Sequence, residues 1–209
     1  MEESAAKASL DVPRETLAKL ESLAALVREE NERQNLVSKV SLEHLWSRHI
    51  LDSTQLLRFA PDEAAWLDLG TGAGFPGLVV ALLHRGRVTM VEARKLRADF
   101  LHRAAVALGV ELTVEIVCAR IEVVAARPFD VISARAFAPL ERLLVLAERF
   151  STEKTVWILP KGRNAKSELA GVRSSWQGEF RIEPSLTDPE AGIIVARGVR
   201  RRAKGKGAR

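Results

Sequence analysis

The sequence has a single cysteine, Cys118, among 209 residues, so it forms no internal disulfide, and that points to a reducing cytoplasm. One Cys and four His in unrelated contexts supply no spaced ligand set for structural zinc, and no metal is expected. The longest aliphatic run, Leu78 to Leu83, is far too short to span a bilayer. Met1 to Leu10 is acidic and Ala-rich. It lacks the basic and apolar regions of a secretory signal, and no membrane association is expected. Internal repeats are absent, and no low-complexity linker occurs before residue 200.

The formal net charge of +5 and pI of about 9.7 suggest an acidic partner such as nucleic acid. Six of the 32 Lys and Arg lie in 200–209, which carries no acid. Residues 1–199 thus hold 26 basic residues against 27 acids, a net charge of −1. A near-neutral body with a basic tail is the better description, and 200–209 reads as a disordered arm with sequence-independent affinity for phosphate. With 47% apolar and 28% charged residues, the body has the composition of one self-folding unit. The organisation predicted is a helical extension over 1–61, an α/β domain over 62–199 and the tail.

Leu17, Leu20, Ala24 and Val27 fall at steps of three and four, an amphipathic helix face preceded by Pro13. A second helix is predicted from Ser41, as N-cap, to Phe59, with Leu42, Leu45, Trp46, Ile50 and Leu57 on its apolar face. After Pro61 strands and helices alternate. Strands are predicted at 65–69, 88–92, 112–118, 129–133 and 155–159, with closing strands at 180–182 and 193–196. Helices fall between them at 76–84, 95–108, 139–150 and 164–172. Alternation of this kind implies a mostly parallel, doubly wound sheet covered on both faces.

The strongest motif runs from Trp66 to Gly77, where the first strand gives way to the first helix. A parallel sheet places ligands there, and glycines let a ligand approach the backbone. Two frames compete. Gly72, Gly74 and Gly77 match a dinucleotide fingerprint with Glu92 twenty residues on, the mark of a nicotinamide-dependent oxidoreductase. Asp68, Gly70, Gly72 and Gly74 resemble motif I of class I S-adenosylmethionine methyltransferases. The second frame gives Asp68 a place and starts the glycines directly after the strand. Glu92, ending the second strand, is a candidate acceptor for both ribose hydroxyls, with Ala93 and Arg94 flanking the adenine. Ile121 and Glu122 follow the third strand. In the methyltransferase frame Ile121 packs on the adenine and Glu122 meets its amine, whereas a bare reading makes Glu122 an ion-pair partner of Arg120. Arg135 follows the fourth strand at the mouth shared by donor and acceptor. Lys161, after the fifth, lies on the same rim, although a lone Lys is most often only solvated. The Asn/Asp-Pro-Pro-aromatic motif of amino methyltransferases is missing, which argues against an exocyclic amine as acceptor.

Six stretches together resemble the RsmG (GidB) family of bacterial small-subunit ribosomal RNA methyltransferases, in family order from about residue 14 to residue 197. They are Asn35-Leu36, Arg48-His49-Ile50-Leu51-Asp52-Ser53, Asp68 to Gly77, Arg120-Ile121-Glu122, Ser133-Ala134-Arg135-Ala136 with Pro139-Leu140, and Leu159-Pro160-Lys161-Gly162. Val37 stands where the family usually has Thr, and Leu96 where it often has Lys. The resemblance implies a class I (Rossmann-like) fold and S-adenosyl-L-methionine held at Asp68, Gly70, Thr71, Gly72, Gly74, Phe75, Glu92, Ala93, Arg94, Ile121, Glu122 and Arg135. It implies methylation of guanine N7 in a decoding-region hairpin loop, with small-subunit RNA or the 30S subunit as partner. A monomer is the default. Guanine N7 carries a lone pair and no proton, so alignment and electrostatics suffice without a general base. Arg135 and Lys161 are the candidate catalytic groups, Arg135 contacting the cofactor carboxylate or an RNA phosphate. His49 and Asp52 read instead as a structural pair fixing the extension to the body. A vestigial, non-catalytic RNA-binding assembly module is the remaining alternative.

Overall fold

The computed structural model describes residues 2–203. Two helices, α1 (Glu3–Ala8) and α2 (Arg14–Asn31), lead into a broken helical stretch: α3 (Lys39–Glu43), a π-helical segment Trp46–Leu51, α4 (Asp52–Thr54) and a 3-10 turn Gln55–Phe59. The body then runs β1 (Trp66–Leu69), α5 (Gly77–Leu83), β2 (Val88–Glu92), α6 (Lys95–Leu108), β3 (Val114–Cys118), β4 (Val131–Ala134), α7 (Leu140–Ala147), β5 (Val156–Gly162), α8 (Ala165–Val172), β6 (Trp176–Pro184) and β7 (Gly192–Arg201). One seven-stranded sheet has the order β3-β2-β1-β4-β5-β7-β6. β1 to β5 pair in parallel and β5-β7-β6 antiparallel, so the mostly parallel, doubly wound class I arrangement is present.

Strand alternation divides the core. Trp66, Val88, Met90 and Val131 face one layer, with α2, α5, α6 and the broken helix. Leu67, Leu69, Val91 and Ile132 face the other, with α7 and α8. The extension is part of the first layer: Leu20, Leu23, Ala24 and Val27 of α2 are buried against the body. All four β1 residues are buried because β1 has β2 on one side and β4 on the other. Strand order reverses at β1 and β4, and the diverging loops beyond their carboxyl ends leave a crevice.

α6 ends where it is predicted to end, at Gly109 with φ 65°, a left-handed cap. The continuous helix expected over 41–59 is not observed. Its apolar positions are buried as predicted, but α3 starts with Ser38, whose side chain accepts from the Ser41 N–H at 3.1 Å, and stops at His44. The next segment starts at Trp46 because Glu3, from α1, caps it. The Glu3 carboxylate accepts from the Trp46 N–H at 2.9 Å and the Ser47 N–H at 3.0 Å, satisfying donors a continuous helix would have used internally.

The boundary expected at 199/200 also moves. Arg200 and Arg201 pair with Gln177 and Trp176 of β6, and their side chains meet Glu153 at 2.9 Å and Glu148 at 3.2 Å. Arg202 donates to the Arg173 and Trp176 carbonyls. The start of the basic run is therefore a sheet edge with acid partners, not a free arm. The rest of the arm, 204–209, lies outside the described residues.

Candidate functional site

The chain leaves β1 and turns back at once, the Gly70 N–H donating to the Val91 carbonyl at 2.9 Å. Gly70 and Gly72 both hold left-handed backbone, at φ 67° and 58°, and their surroundings differ. A Cβ on Gly70 would lie 2.4 Å from the Phe137 ring, whereas one on Gly72 would meet nothing nearer than the Arg97 guanidinium at 3.8 Å. Gly70 is thus bare so that Phe137 can pack, and Gly72 presents an open backbone face.

Asp68 lies beneath this loop, fully buried. One carboxylate oxygen accepts from the Gly77 N–H at 3.0 Å and the other from the Ser133 hydroxyl at 2.8 Å; Ser133 in turn accepts from the Trp66 indole N–H at 2.8 Å. Burial pushes the Asp68 carboxyl up, against the pull of these hydrogen bonds. Asp68 therefore ties β1, β4 and the start of α5 together from below. Glu92 accepts from the Gly72 N–H at 3.1 Å and the Arg94 N–H at 2.8 Å, fixing the loop and the Ala93-Arg94 turn with one carboxylate. Each oxygen keeps a lone pair for another donor.

Across the crevice, Arg135 is clamped rather than free. It donates to the Arg48 carbonyl at 2.8 Å, to Asp52 at 3.2 Å and to Nδ1 of His49. Asp52 also accepts from Gln55 at 2.7 Å and Thr187 at 2.8 Å. The expected His49–Asp52 pair is thus replaced by two residues that separately hold Arg135, and the join of extension to body is made through the guanidinium. Burial, then the Arg135 and Arg48 charges, push His49 down to about 3, so the ring is neutral. Lys161 is not a solvated surface lysine. Its ammonium is 8% exposed, donates to the Ala138 carbonyl at 2.6 Å and pairs with Glu168 at 3.0 Å, while Glu168 also accepts from the Leu140 N–H at 2.6 Å.

These groups share one cleft of about 1180 Å³, which takes in Gly70, Thr71, Gly72, Phe75, Arg135 and Lys161. Of the other expected residues, Asp68 lies below it. Glu92, Ala93, Ile121 and Glu122 stand at the ends of β2 and β3, outside its lining. Arg94 lines a second recess of about 470 Å³ with Asn35 and Arg97. Ile121 is buried in the second core layer, and Arg149 donates to its carbonyl at 2.5 Å. Glu122 forms the 3.2 Å ion pair with Arg120 that the bare sequence reading allows; its own N–H and Arg120 hold the carboxyl below the usual range. Sequence reasoning missed Phe137 and Glu168. Phe137 follows Ala136, whose φ of 51° is left-handed; an aromatic two residues past Arg135 was the available signal. Glu168 meets Lys161 only through the packing of α8, and no local pattern marks it.

Among the described residues there is no helix long and apolar enough to cross a membrane, and no cluster of three metal-ligating side chains.

Known proteins resemble this chain at two levels. An O-methyltransferase from Bacillus cereus, in complex with SAH, covers 93% of the chain and 96% of its own at TM-score 0.63 and 16% identity. The O-methyltransferase TomG from Streptomyces achromogenes, in complex with SAM, covers 94% and 95% at TM-score 0.60 and 16% identity. These likenesses concern the fold. The Ribosomal RNA small subunit methyltransferase G of Rhizorhabdus wittichii is 52% identical over 214 residues, covering 100% of this chain and 99% of its own. That of Zymomonas mobilis is 47% identical, covering 90% and 88%. The family model described as GidB, rRNA small subunit methyltransferase G, matches residues 16–199. From the glycine loop to the Lys161 rim, the chain belongs to the GidB (rRNA small subunit methyltransferase G) family.

Proposed function

We propose that this protein transfers a methyl group from S-adenosyl-L-methionine to N7 of a guanine in small-subunit ribosomal RNA, free or within the 30S subunit, and acts as a monomer. The observation that carries the reading is the cleft itself. The open face of Gly72 shares it with Arg135 and Lys161, while the carboxylates beside those cations, Asp52 and Glu168, are already ion-paired.

The residues present fit the cofactor. Gly72 leaves backbone bare where a ligand would approach, and Glu92 offers two acceptor oxygens at the end of β2. S-adenosyl-L-methionine, when bound, supplies an electrophilic sulfonium methyl. Gly70 to Phe75 and Glu92 hold it, and Ala93, Arg94, Ile121 and Glu122 border the adenine side. Asp68 and Gly74 keep the loop in shape. Arg135 and Lys161 do not abstract a proton: each fixes a wall of the cleft, Arg135 the Arg48–Asp52 side and Lys161 the Ala138 side. His49 is neutral, and the nearby carboxylates are engaged, which suits an acceptor atom without a proton to remove.

Mass spectrometry of small-subunit RNA from cells lacking the gene tests the reading. Loss of one N7-methylguanosine is expected. Persistence of every such mark, in cells where no second enzyme supplies it, contradicts the proposal.

A further inference from the structure

Arg135 fixes not only the join of extension to body but also the tautomer of His49. The guanidinium has only donors, so its contact with His49 Nδ1 requires a lone pair on that nitrogen. The proton of the neutral ring is then on Nε2. Nε2 is shielded from solvent and has no hydrogen-bond partner. Two other buried side-chain polar atoms among the described residues share that condition. Trp157 Nε1 belongs to a β5 residue outside the cleft, and Thr71 Oγ1 lies towards Gly77, 2.9 Å from where a Cβ of that glycine would stand. His49 is a cleft residue, with its ring 5.0 Å from that of Phe75. A buried N–H is seldom left unmatched unless a ligand supplies the acceptor.

We propose that His49 determines the specificity for guanine, donating from Nε2–H to the O6 oxygen of the acceptor base. The inference rests on the N7-methylation reading above. O6 neighbours N7 and is an acceptor, where adenine carries an amino group that donates, so a fixed donor selects guanine. A neutral donor also leaves the N7 lone pair free and puts no charge beside a ring that becomes cationic on methylation; the depressed basicity of His49 keeps it neutral at working pH. Arg135 is unsuited to the task, with its guanidinium spent on Arg48, Asp52 and His49. Nε2 is covered in the free protein, so base entry must uncover it. Phe137, carried by left-handed Ala136, lines the same cleft.

Two substitutions separate this role from clamping. His49→Asn keeps an acceptor near the Nδ1 position for Arg135 and loses the distal donor, whereas His49→Gln keeps a donor near the Nε2 position and weakens the clamp. Full-length wild type and both variants are assayed for transfer of labelled methyl to small-subunit RNA carrying guanine or 2-aminopurine, which lacks O6, at the target position. Thermal midpoints are measured alongside. Wild type is expected to lose about tenfold in kcat/KM on 2-aminopurine. His49→Asn should lose about as much on guanine and little more on 2-aminopurine, and His49→Gln should recover most of the guanine rate. Equal wild-type rates on the two RNAs overturn the proposal, as does a His49→Asn variant that works at the wild-type rate while His49→Gln fails. The wild-type comparison decides the matter even if both variants unfold. Absence of transfer from wild type to guanine RNA would overturn the methylation reading itself, and this inference with it.

Discussion

Arg135 and Asp52 meet at 3.2 Å across the join between the end of β4 and the helical extension, with 19% and 18% of their side chains exposed. Asp52 also holds Gln55 and Thr187, so one carboxylate connects the extension, the β4 rim and the β6–β7 connection. Removing the guanidinium leaves a mostly buried carboxylate with neutral partners. Arg135→Ala should lower unfolding free energy by about 3 kcal/mol, and Arg135→Lys by less, because Lys keeps the charge but not the three-way fork. Urea unfolding measures both. An Arg135→Ala protein of wild-type stability would show that the clamp does not hold the extension.

Gly70 and Gly72 should respond differently to a methyl group. Gly72→Ala costs about 1 kcal/mol of backbone strain and puts the methyl on the open face, so the protein folds while S-adenosyl-L-methionine affinity falls by about tenfold or more. Gly70→Ala drives its Cβ into Phe137 and should lower the thermal midpoint further, with partial recovery in Gly70→Ala/Phe137→Ala. Calorimetric titration and thermal unfolding separate the two effects. Undiminished affinity in Gly72→Ala would remove Gly72 from the cofactor site.

His49 gives stability a pH dependence of definite sign. Folding lowers its pKa from 6.5 to about 3, so between those values the unfolded chain binds a proton that the folded chain lacks. The stability associated with the neutral ring is fully present above 6.5 and declines as pH falls towards 3. His49→Asn lacks this titration, and its unfolding free energy should fall less than that of wild type over the same range. Parallel pH profiles would contradict a buried neutral ring.

The basic C-terminus divides at Ala203. Truncation after Ala203 removes Lys204, Lys206 and Arg209 and leaves β7 whole, so the fold should persist. RNA affinity should weaken at low salt, with the logarithmic salt slope reduced by up to about 2. Truncation after Val199 removes Arg200 and Arg201 from the β6–β7 ladder and should lower the thermal midpoint. Filter binding across salt concentrations and thermal unfolding distinguish the two truncations. A change in the methylated base on losing 204–209 would make that segment part of target recognition.

What the sequence made legible follows from where the determinants lie. α6 was readable to the residue because its amphipathic face and its Gly109 cap are local. The glycine loop was readable because only glycines tolerate its turns. The break in the 41–59 helix was not, since the cap at Trp46 and Ser47 comes from Glu3, over forty residues away. β6 and β7 proved longer than the apolar stretches 180–182 and 193–196, because their outer halves, including Gln177, Glu179, Arg197 and Arg200, are polar and held by pairing at the sheet edge. At the site, residue types were legible and partners were not. Arg135 and Lys161 were placed on the rim, but their commitments to Asp52, His49 and Glu168 arise from tertiary packing alone.

Incubation of the purified protein with 30S subunits and with deproteinised small-subunit RNA, using S-adenosyl-L-methionine labelled in its methyl group and mapping the modified base, bears on the whole scheme. A single N7-methylguanosine in one hairpin loop, on either substrate, is the expected product. A label on an exocyclic amine or a ribose hydroxyl, or no label on either substrate, would contradict it.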